Sequence, residues 1–302
     1  MTELVLVTGA TGFIGRHLAP ALVEAGHRVR AMTRHPDRYD GPGDAVFGDV
    51  ADPDSLPDAL DGVRFAYYLV HSLDAADFED RDAAAASAFG AAAAAAGVEQ
   101  IVYLGGLGAD SDELSAHLRS RREVERLLAA GGVPVTTLRA AVIIGHGGIS
   151  WEITRQLATR LPAMVAPRWV RTRTQPIALV DVIRYLVGVL GLAAAYGRAF
   201  DIGGPQVLRY DEMLTRAAHA VHGRPVPIVV VPLLTPRLSS LWLALVTDVD
   251  VPTGRNLIDS MATEVVVRDP AITSLLPGTL ADYDAAMQAA LQERRASESD
   301  TR

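Results

Sequence analysis

The sequence predicts an α/β chain built on a doubly wound parallel sheet, completed by a smaller C-terminal lobe. Three observations point there. Short apolar runs alternate with helix-like patterns through the first half of the chain. A glycine triplet joins the first apolar run to the first helix. Glycines close the helices that follow, at Gly26, Gly62, Gly97 and the pair Gly131 and Gly132. Strand–helix alternation signals βαβ units and a parallel sheet. Glycine just beyond a helix is a common stop.

Taken in order, Leu4–Thr8 reads as a buried strand and 13–25 as a helix. Arg28–Thr33 is the second strand and 45–48 a short third. A helix over 53–60 leads to a fourth strand at 65–70. Residues 76–96 form an Ala-rich helix, since alanine has the best helix propensity. Residues 99–104 are the fifth strand, 112–130 a helix and 134–140 the sixth strand. Beyond Ile144 the texture changes. A Gly-rich loop at 145–148 precedes a helix over 151–161. A strand at 175–177, a helix over 180–192 and a strand at Ala199–Ile202 follow. Then come a helix over 211–222 and a strand at 228–231. Helices near 238–245 and over 280–293 close the fold, and the polar end from Ser297 reads as disordered. We expect a dinucleotide-binding domain over 1–145, a substrate lobe over 146–293 interleaved with the sheet, and a disordered tail over 294–302.

The glycine triplet is Gly9, Gly12 and Gly15, at G-x-x-G-x-x-G spacing. Gly9 permits the tight turn. Gly12 has no Cβ, so a pyrophosphate can approach the backbone. Gly15 lets the helix pack on the sheet. The amides around Thr11, Phe13 and Ile14 then face the phosphates at a helix N-terminus. Between a strand and a helix the pattern is a strong dinucleotide signal. An NAD-selective site carries an acid at the end of the second strand, about twenty residues downstream. Here Arg34 stands there, with Arg38 close behind. Guanidinium pairs with a 2′-phosphate through two hydrogen bonds, which favours NADP(H) over NAD. Arg30 points elsewhere by strand alternation. Asp49 and Val50 follow the third strand, and two readings of Asp49 stay open: a partner for the adenine amine, or a turn residue capping the next helix.

Bulk properties narrow the function classes. The 302 residues carry a net charge of −8, a poor match for a nucleic-acid backbone. There is no cysteine, which removes disulfides, thiol catalysis and cysteine metal ligands and fits a cytoplasmic setting. The histidines show no zinc-ligand spacing, so no metal is expected. The longest apolar stretch, 226–246, is broken by Pro227, Pro232, Pro236 and Arg237. A spanning helix needs about 20 nearly uninterrupted apolar residues. No signal core precedes the first strand, because its apolar run is too short.

With these residues in hand, the chain resembles the short-chain dehydrogenase/reductase superfamily. Its motifs look most like the atypical, NmrA-like group, which includes relatives of a complex I accessory subunit. The resemblance rests on TGATGFIGRH from Thr8, YLVHS from Tyr68, IVYLGGLG from Ile101, HLRSRREVE from His117 and PIALVDV from Pro176. FDIGGP from Phe200 and TPRLSSL from Thr235 add to it. The resemblance implies a Rossmann-type fold. It also implies a Ser after the fifth strand and Tyr-x-x-x-Lys on the next helix. Here Gly105 and Gly106 stand at the first place, and His117 and Arg121 at the second.

His117 and Arg121, four apart, share a helical face. A histidine can donate a proton near neutral pH, and Arg121 would hold the nicotinamide ribose. The competing reading is an exposed face carrying the pairs Glu113–His117, Arg119–Glu123 and Arg121–Glu125. Val70, His71 and Ser72 follow the fourth strand, where doubly wound folds face their ligand. Val70 and His71 are read as cofactor contacts and Ser72 as a substrate contact. Ser111 and Ser115 read as turn or cap residues. Arg168, Arg171 and Arg173 surround Trp169, and with Trp151 they are candidates for an anionic or aromatic substrate; a surface loop is the alternative. Leu233, Leu234, Leu238, Leu241, Trp242 and Leu245 are either ordinary packing or the wall of a lipophilic pocket.

The expected function is an NADP(H)-dependent oxidoreductase acting on a small carbonyl, quinone or enone. A non-catalytic module that senses NAD(P) or supports complex assembly is the alternative. An isomerase or lyase using the cofactor as an internal hydride relay is the third. The sequence leaves the oligomeric state open.

Overall fold

The structure is a computed structural model describing residues 3–72, 75, 77–108, 114–231, 246–248 and 251–300. The first half runs β1 (Leu4–Thr8), α1 (Gly15–Glu24), β2 (Arg28–Thr33), β3 (Asp44–Phe47), α2 (Leu56–Leu60), β4 (Phe65–Tyr68), α3 (Phe78–Ala95), β5 (Gln100–Gly106), α4 (Ala116–Ala130) and β6 (Val135–Ala140). The second half runs β7 (Ile143–Ile144), α5 (Ile149–Arg160), β8 (Met164–Ala166), β9 (Arg173–Thr174), β10 (Ile177–Ala178), α6 (Leu179–Val189), β11 (Ala199–Ile202), β12 (Leu208–Arg209), α7 (Tyr210–His222), β13 (Ile228–Val230), α8 (Val251–Met261), α9 (Ala271–Leu275) and α10 (Tyr283–Asp300).

The central sheet has seven strands in the order β11-β6-β5-β4-β1-β2-β3, and every neighbouring pair is parallel. This is a Rossmann-type doubly wound sheet. The chain winds outward from β1 to β3, then returns to place β4 on the other side of β1. The reversal leaves a crevice at the carboxyl ends of β1 and β4, where such folds bind ligands. One sheet face packs Leu18 and Leu22 of α1 and Val182, Leu186 and Val189 of α6. The other packs Leu56 and Leu60 of α2, Phe89 of α3 and Val124 and Leu128 of α4. A further core joins Trp151, Leu157, Met213, Leu214, Ile258 and Met287 from the later helices. Strand β11 carries the second half back into the sheet beside β6.

Several expected boundaries shift. The strand expected at 175–177 is divided between β9 and β10, because Gln175 turns its side chain toward the backbone of Gly204 and Val267. The last helix does not stop at 293. It continues through Asp300, so 294–300 are not a disordered tail. Arg294 anchors that extension to Glu152 at 3.4 Å and to Glu298 at 2.8 Å. Helix α8 was not expected. The helix expected near 238–245, with Leu233, Leu234 and the apolar residues that follow, lies outside the described residues. Among the described residues no helix is long and apolar enough to cross a membrane.

Candidate active site

The glycine turn opens the site. Gly9 adopts φ +63°, and the N–H of Gly12 donates to its carbonyl at 2.9 Å. A Cβ on Gly15 would stand 2.2 Å from that same carbonyl oxygen, so the turn and the helix share space that only glycine leaves free. Thr8 Oγ1 accepts from the Leu69 amide at 2.9 Å and ties the ends of β1 and β4 together. No side chain caps the start of α1, and Thr11 and Gly12 are exposed. The orphan amides of a helix N-terminus attract anions, so this cradle fits a dinucleotide diphosphate. Phe13 and Ile14 act from behind. The Phe13 ring lies against Gly145 and Gly148, and Ile14 packs into the sheet core. Arg16 donates to the His146 carbonyl at 2.9 Å and closes the loop over the helix end.

From the turn a groove of about 620 Å³ runs over the carboxyl ends of β2, β3 and β4. Gly9, Thr11, Arg34, Asp49, Val50, Val70, His71 and Ser72 line it, together with Thr33, His35 and Gly48. Arg34 is exposed and has no ion pair among the described residues. Arg38 does not line the groove; it sits on a short turn beyond His35, whose carbonyl accepts its amide. Arg30 turns away, donating to the carbonyls of Ala59 and Asp61. Asp49 combines both of its open readings in part. It borders the groove, while its carboxylate accepts from the Ala51 amide at 3.0 Å and shapes the turn. The far wall is one stripe of α3: Arg81, Ala84, Ala85 and Ala88. Arg81 escaped the sequence reading; its spacing with the three alanines was the available signal.

Beyond the end of β5 lies a smaller pocket of about 110 Å³ with both apolar and polar lining. Gly106, Leu107, Ala140, Ala141 and Val142 form its floor, and Leu257 and Met261 of α8 cover it. His117, Ser150, Tyr210 and Ser260 are its polar members. Ser115 caps α4 by accepting from the Leu118 amide and bonds Ser260 Oγ at 2.8 Å, tying α8 to α4. Ser111 and Glu113 lie outside the described residues. The His117 Nδ1 is enclosed with no hydrogen-bond partner among the described residues. Burial, with help from the charges of Arg121 and His71, pushes the imidazole down to about 3 from 6.5. The ring is therefore neutral at physiological pH. A ligand in the pocket would meet it as a neutral hydrogen-bond donor or acceptor. Tyr210 is pushed up to about 12 by burial and also stays neutral.

Arg121 does not reach for a ribose. Its guanidinium is buried and donates to Asp82 of α3 at 2.8 Å, with Ser120 on the same carboxylate oxygen at 3.3 Å. Tyr103 donates to the Arg121 carbonyl at 3.2 Å. The expected partner Glu125 instead holds Arg139 at 2.7 Å. Arg119 reaches Glu79 at 3.7 Å, and Glu123 pairs with Arg126. Where the superfamily pattern places a serine, a Cβ on Gly106 would meet Leu118 Cδ2 at 2.7 Å. The leucine takes up the space.

The basic segment does not converge on either cavity. Arg168 and Arg171 are exposed on a short turn, and Arg173 forms a forked pair with Glu264 at 2.8 and 2.9 Å. Trp151 is fully buried in the core of the later helices, so it offers a substrate no face. Trp169 stands edge-on to Tyr210, centroids 6.1 Å apart. Among the described residues no group of histidines and carboxylates could hold a metal.

Comparison with known proteins gives a consistent result. The family model described as NAD(P)H-binding matches residues 9–167. A (4-alkanoyl-5-oxo-2,5-dihydrofuran-3-yl)methyl phosphate reductase of Streptomyces griseus is 31% identical over 229 residues, 74% of this chain and 75% of that one. A ceramide reductase of Caulobacter vibrioides is 30% identical over 188 residues, 59% of this chain and 57% of its own length. Among solved structures, the Citrobacter triphenylmethane reductase bound to NADP(H) superposes with a TM-score of 0.76 at 17% identity, covering 94% of this chain and 99% of that one. The NADPH-dependent quinone oxidoreductase of Escherichia coli gives 0.76 at 18% identity, covering 94% and 98%. The family match covers the phosphate-binding turn, both cavities' strand ends and the helix that carries His117, and on it the chain belongs to the NAD(P)H-binding family.

Proposed function

We propose that this chain is an NADP(H)-dependent reductase that delivers hydride to a small conjugated acceptor, an enone or a quinone. One observation carries the reading: a small pocket of mixed lining at the ends of β5 and β6 includes a neutral His117 whose Nδ1 has no hydrogen-bond partner among the described residues. The cofactor, when bound, supplies the hydride. As it reaches the electrophilic carbon, the electron pair displaced from the conjugated bond moves to the acceptor oxygen. The neutral imidazole of His117, which lines the pocket, donates a ring N–H hydrogen bond to that oxygen. The closing proton comes from water. Conjugated acceptors suit this better than simple ketones, because delocalised charge needs no strong acid in the same step. Arg34, exposed at the groove wall, favours the 2′-phosphate of NADP(H). The Streptomyces relative is named for the methyl phosphate of an acyl-substituted oxo-dihydrofuran, whose conjugated ring agrees with such an acceptor.

A non-catalytic NAD(P)-binding module draws on different observations: Leu118 packs where a serine would stand, and Arg121 is committed to Asp82. The test mixes purified protein, NADPH and a panel of quinones, enones and aldehydes, and follows loss of nicotinamide absorbance. We expect turnover on conjugated acceptors. Replacing Ala141 by Phe, which fills the inner pocket, abolishes it while NADPH affinity stays within about twofold, since Ala141 does not line the groove over β2, β3 and β4. Tight NADPH binding with no turnover on any acceptor establishes the module instead.

A further inference from the structure

We propose that Arg81 of α3 is the second jaw of a clamp on the 2′-phosphate of NADP(H), closing opposite Arg34. The inference rests on the NADP(H) reading above and extends it to a residue on another wall.

The argument begins with the stripe on α3. Positions 81, 84, 85 and 88 are spaced to fall on one helical face, and that face borders the cofactor groove. Three of the four are alanines, whose side chains end at Cβ, so on this stripe only Arg81 reaches out from the wall. Arg81 is the one cation on the stripe. Arg34 borders the same groove from the end of β2. Two guanidinium groups on separate walls facing one cavity is an arrangement made for a multiply charged anion, since each fork can take two oxygens. The family's cofactor offers such an anion on the adenosine ribose when it is NADP(H), and lacks it when it is NAD(H).

Arg81 is held in reserve. Its Nε pairs with Asp77 at 2.8 Å, one turn back on the helix, and both side chains are more than half exposed. The pair holds the Asp77 carboxyl below its ordinary value. Exposed pairs of this kind contribute little, so the guanidinium can leave Asp77 for a phosphate at small cost. Arg38, which the sequence offered as the second cation, stands outside the groove. Arg81 supplies the charge that Arg38 does not.

The experiment measures Kd for NADPH and NADH by calorimetric titration in wild type, Arg81→Gln, Arg81→Lys, Arg34→Gln and Asp77→Asn, with thermal melts to confirm folding. For Arg81→Gln we expect NADPH Kd to rise about tenfold, the size of one charge-assisted contact, with NADH within about twofold. Arg81→Lys recovers part of the loss, because an ammonium keeps the charge and not the fork. Asp77→Asn tightens NADPH by about twofold by removing the competitor. If Arg81→Gln leaves the NADPH-to-NADH ratio unchanged while Arg34→Gln collapses it, Arg81 is no part of the clamp and the cofactor reading stands. If the ratio is unchanged because both cofactors weaken equally, Arg81 holds the diphosphate and the clamp is overturned. A wild type that binds NADH as tightly as NADPH removes the clamp and the cofactor reading together.

Discussion

Two glycines in the same turn are expected to fail in opposite ways. A Cβ at position 15 would lie 2.2 Å from the Gly9 oxygen, 2.7 Å from Ala10 Cα and 2.9 Å from the Gly9 carbonyl carbon. All three atoms are backbone, so only movement of the whole turn relieves the clash. Overpacking of a tight site costs about 1–3 kcal/mol, and for a chain of this size each kcal/mol lowers Tm by about 2–4 °C. Gly15→Ala should therefore melt about 2–12 °C below wild type, with or without nucleotide. At position 12 the nearest atom is the Gly9 oxygen at 3.1 Å, and nothing else lies within 4 Å. Its φ is outside the left-handed region. Gly12→Ala should fold with a loss under about 1 kcal/mol. The added methyl instead stands where the diphosphate must approach the amides, so NADPH Kd should rise by at least about tenfold, or 1.4 kcal/mol. Scanning fluorimetry reads the first effect and calorimetric titration the second. A Gly12→Ala protein that binds NADPH within about twofold of wild type would refute the cradle. So would a Gly15→Ala protein with an unchanged Tm.

The buried groups of α4 carry the remaining predictions. With its pKa lowered to about 3 from 6.5, His117 stays neutral in the fold while the unfolded chain takes up a proton below pH 6.5. Its stabilisation is complete above that pH and is lost progressively as the pH falls toward 3. The drop in Tm between pH 7 and pH 5 should therefore be smaller in His117→Gln than in wild type; equal drops would exclude a neutral buried ring. Turnover should show no titration of His117 between pH 5 and 8, and His117→Phe should lower kcat about 100-fold, as for loss of one oxyanion donor, with NADPH Kd unchanged. Asp82→Ala strands the Arg121 charge in a site where both partners are more than nine-tenths buried, which costs about 3–5 kcal/mol in urea unfolding. The double replacement Asp82→Leu with Arg121→Met should regain most of that loss, because a well-packed apolar pair can substitute for a buried ion pair.

The sheet was legible because its signals are local. The limits of β1, β2 and β11 follow from short apolar runs ended by glycine or by a charged turn. The α8 cover was not legible. Thr253, Gly254, Arg255 and Asn256 interrupt the apolar spacing that marks a helix, and the register appears only once Leu257, Ile258 and Met261 find the core. The extension of α10 past Glu293 was hidden for a similar reason. Residues 294–300 are polar, and what orders them is a charge on α5 that is distant in sequence.

The site divides along the same line. Whatever the backbone of the first turn does was readable, since glycine at fixed spacing between a strand and a helix has few other uses. What Arg121 does was not. Its spacing from Glu125 satisfies the helical pairing rule, and so does its position relative to His117. Only the azimuth of α4 decides among these partners, and packing against α3 sets it. Asp82 gave no warning, because the alanines around it make every face of α3 look alike. The same uniformity hid Arg81. Yet the two residues are one position apart, and adjacent helical positions point about 100° apart, so one enters the interior and the other the cofactor groove. The buried acid fixes which face of α3 meets α4, and thereby which face lines the groove. If Asp82 and Arg121 set that rotation, replacing them should disturb NADPH binding through Arg81 even though neither touches the groove. Asp82→Leu with Arg121→Met should keep its stability, and its NADPH-to-NADH ratio should fall toward that of Arg81→Gln. A double variant with the wild-type ratio would show that the Ala-rich wall holds its orientation without the ion pair.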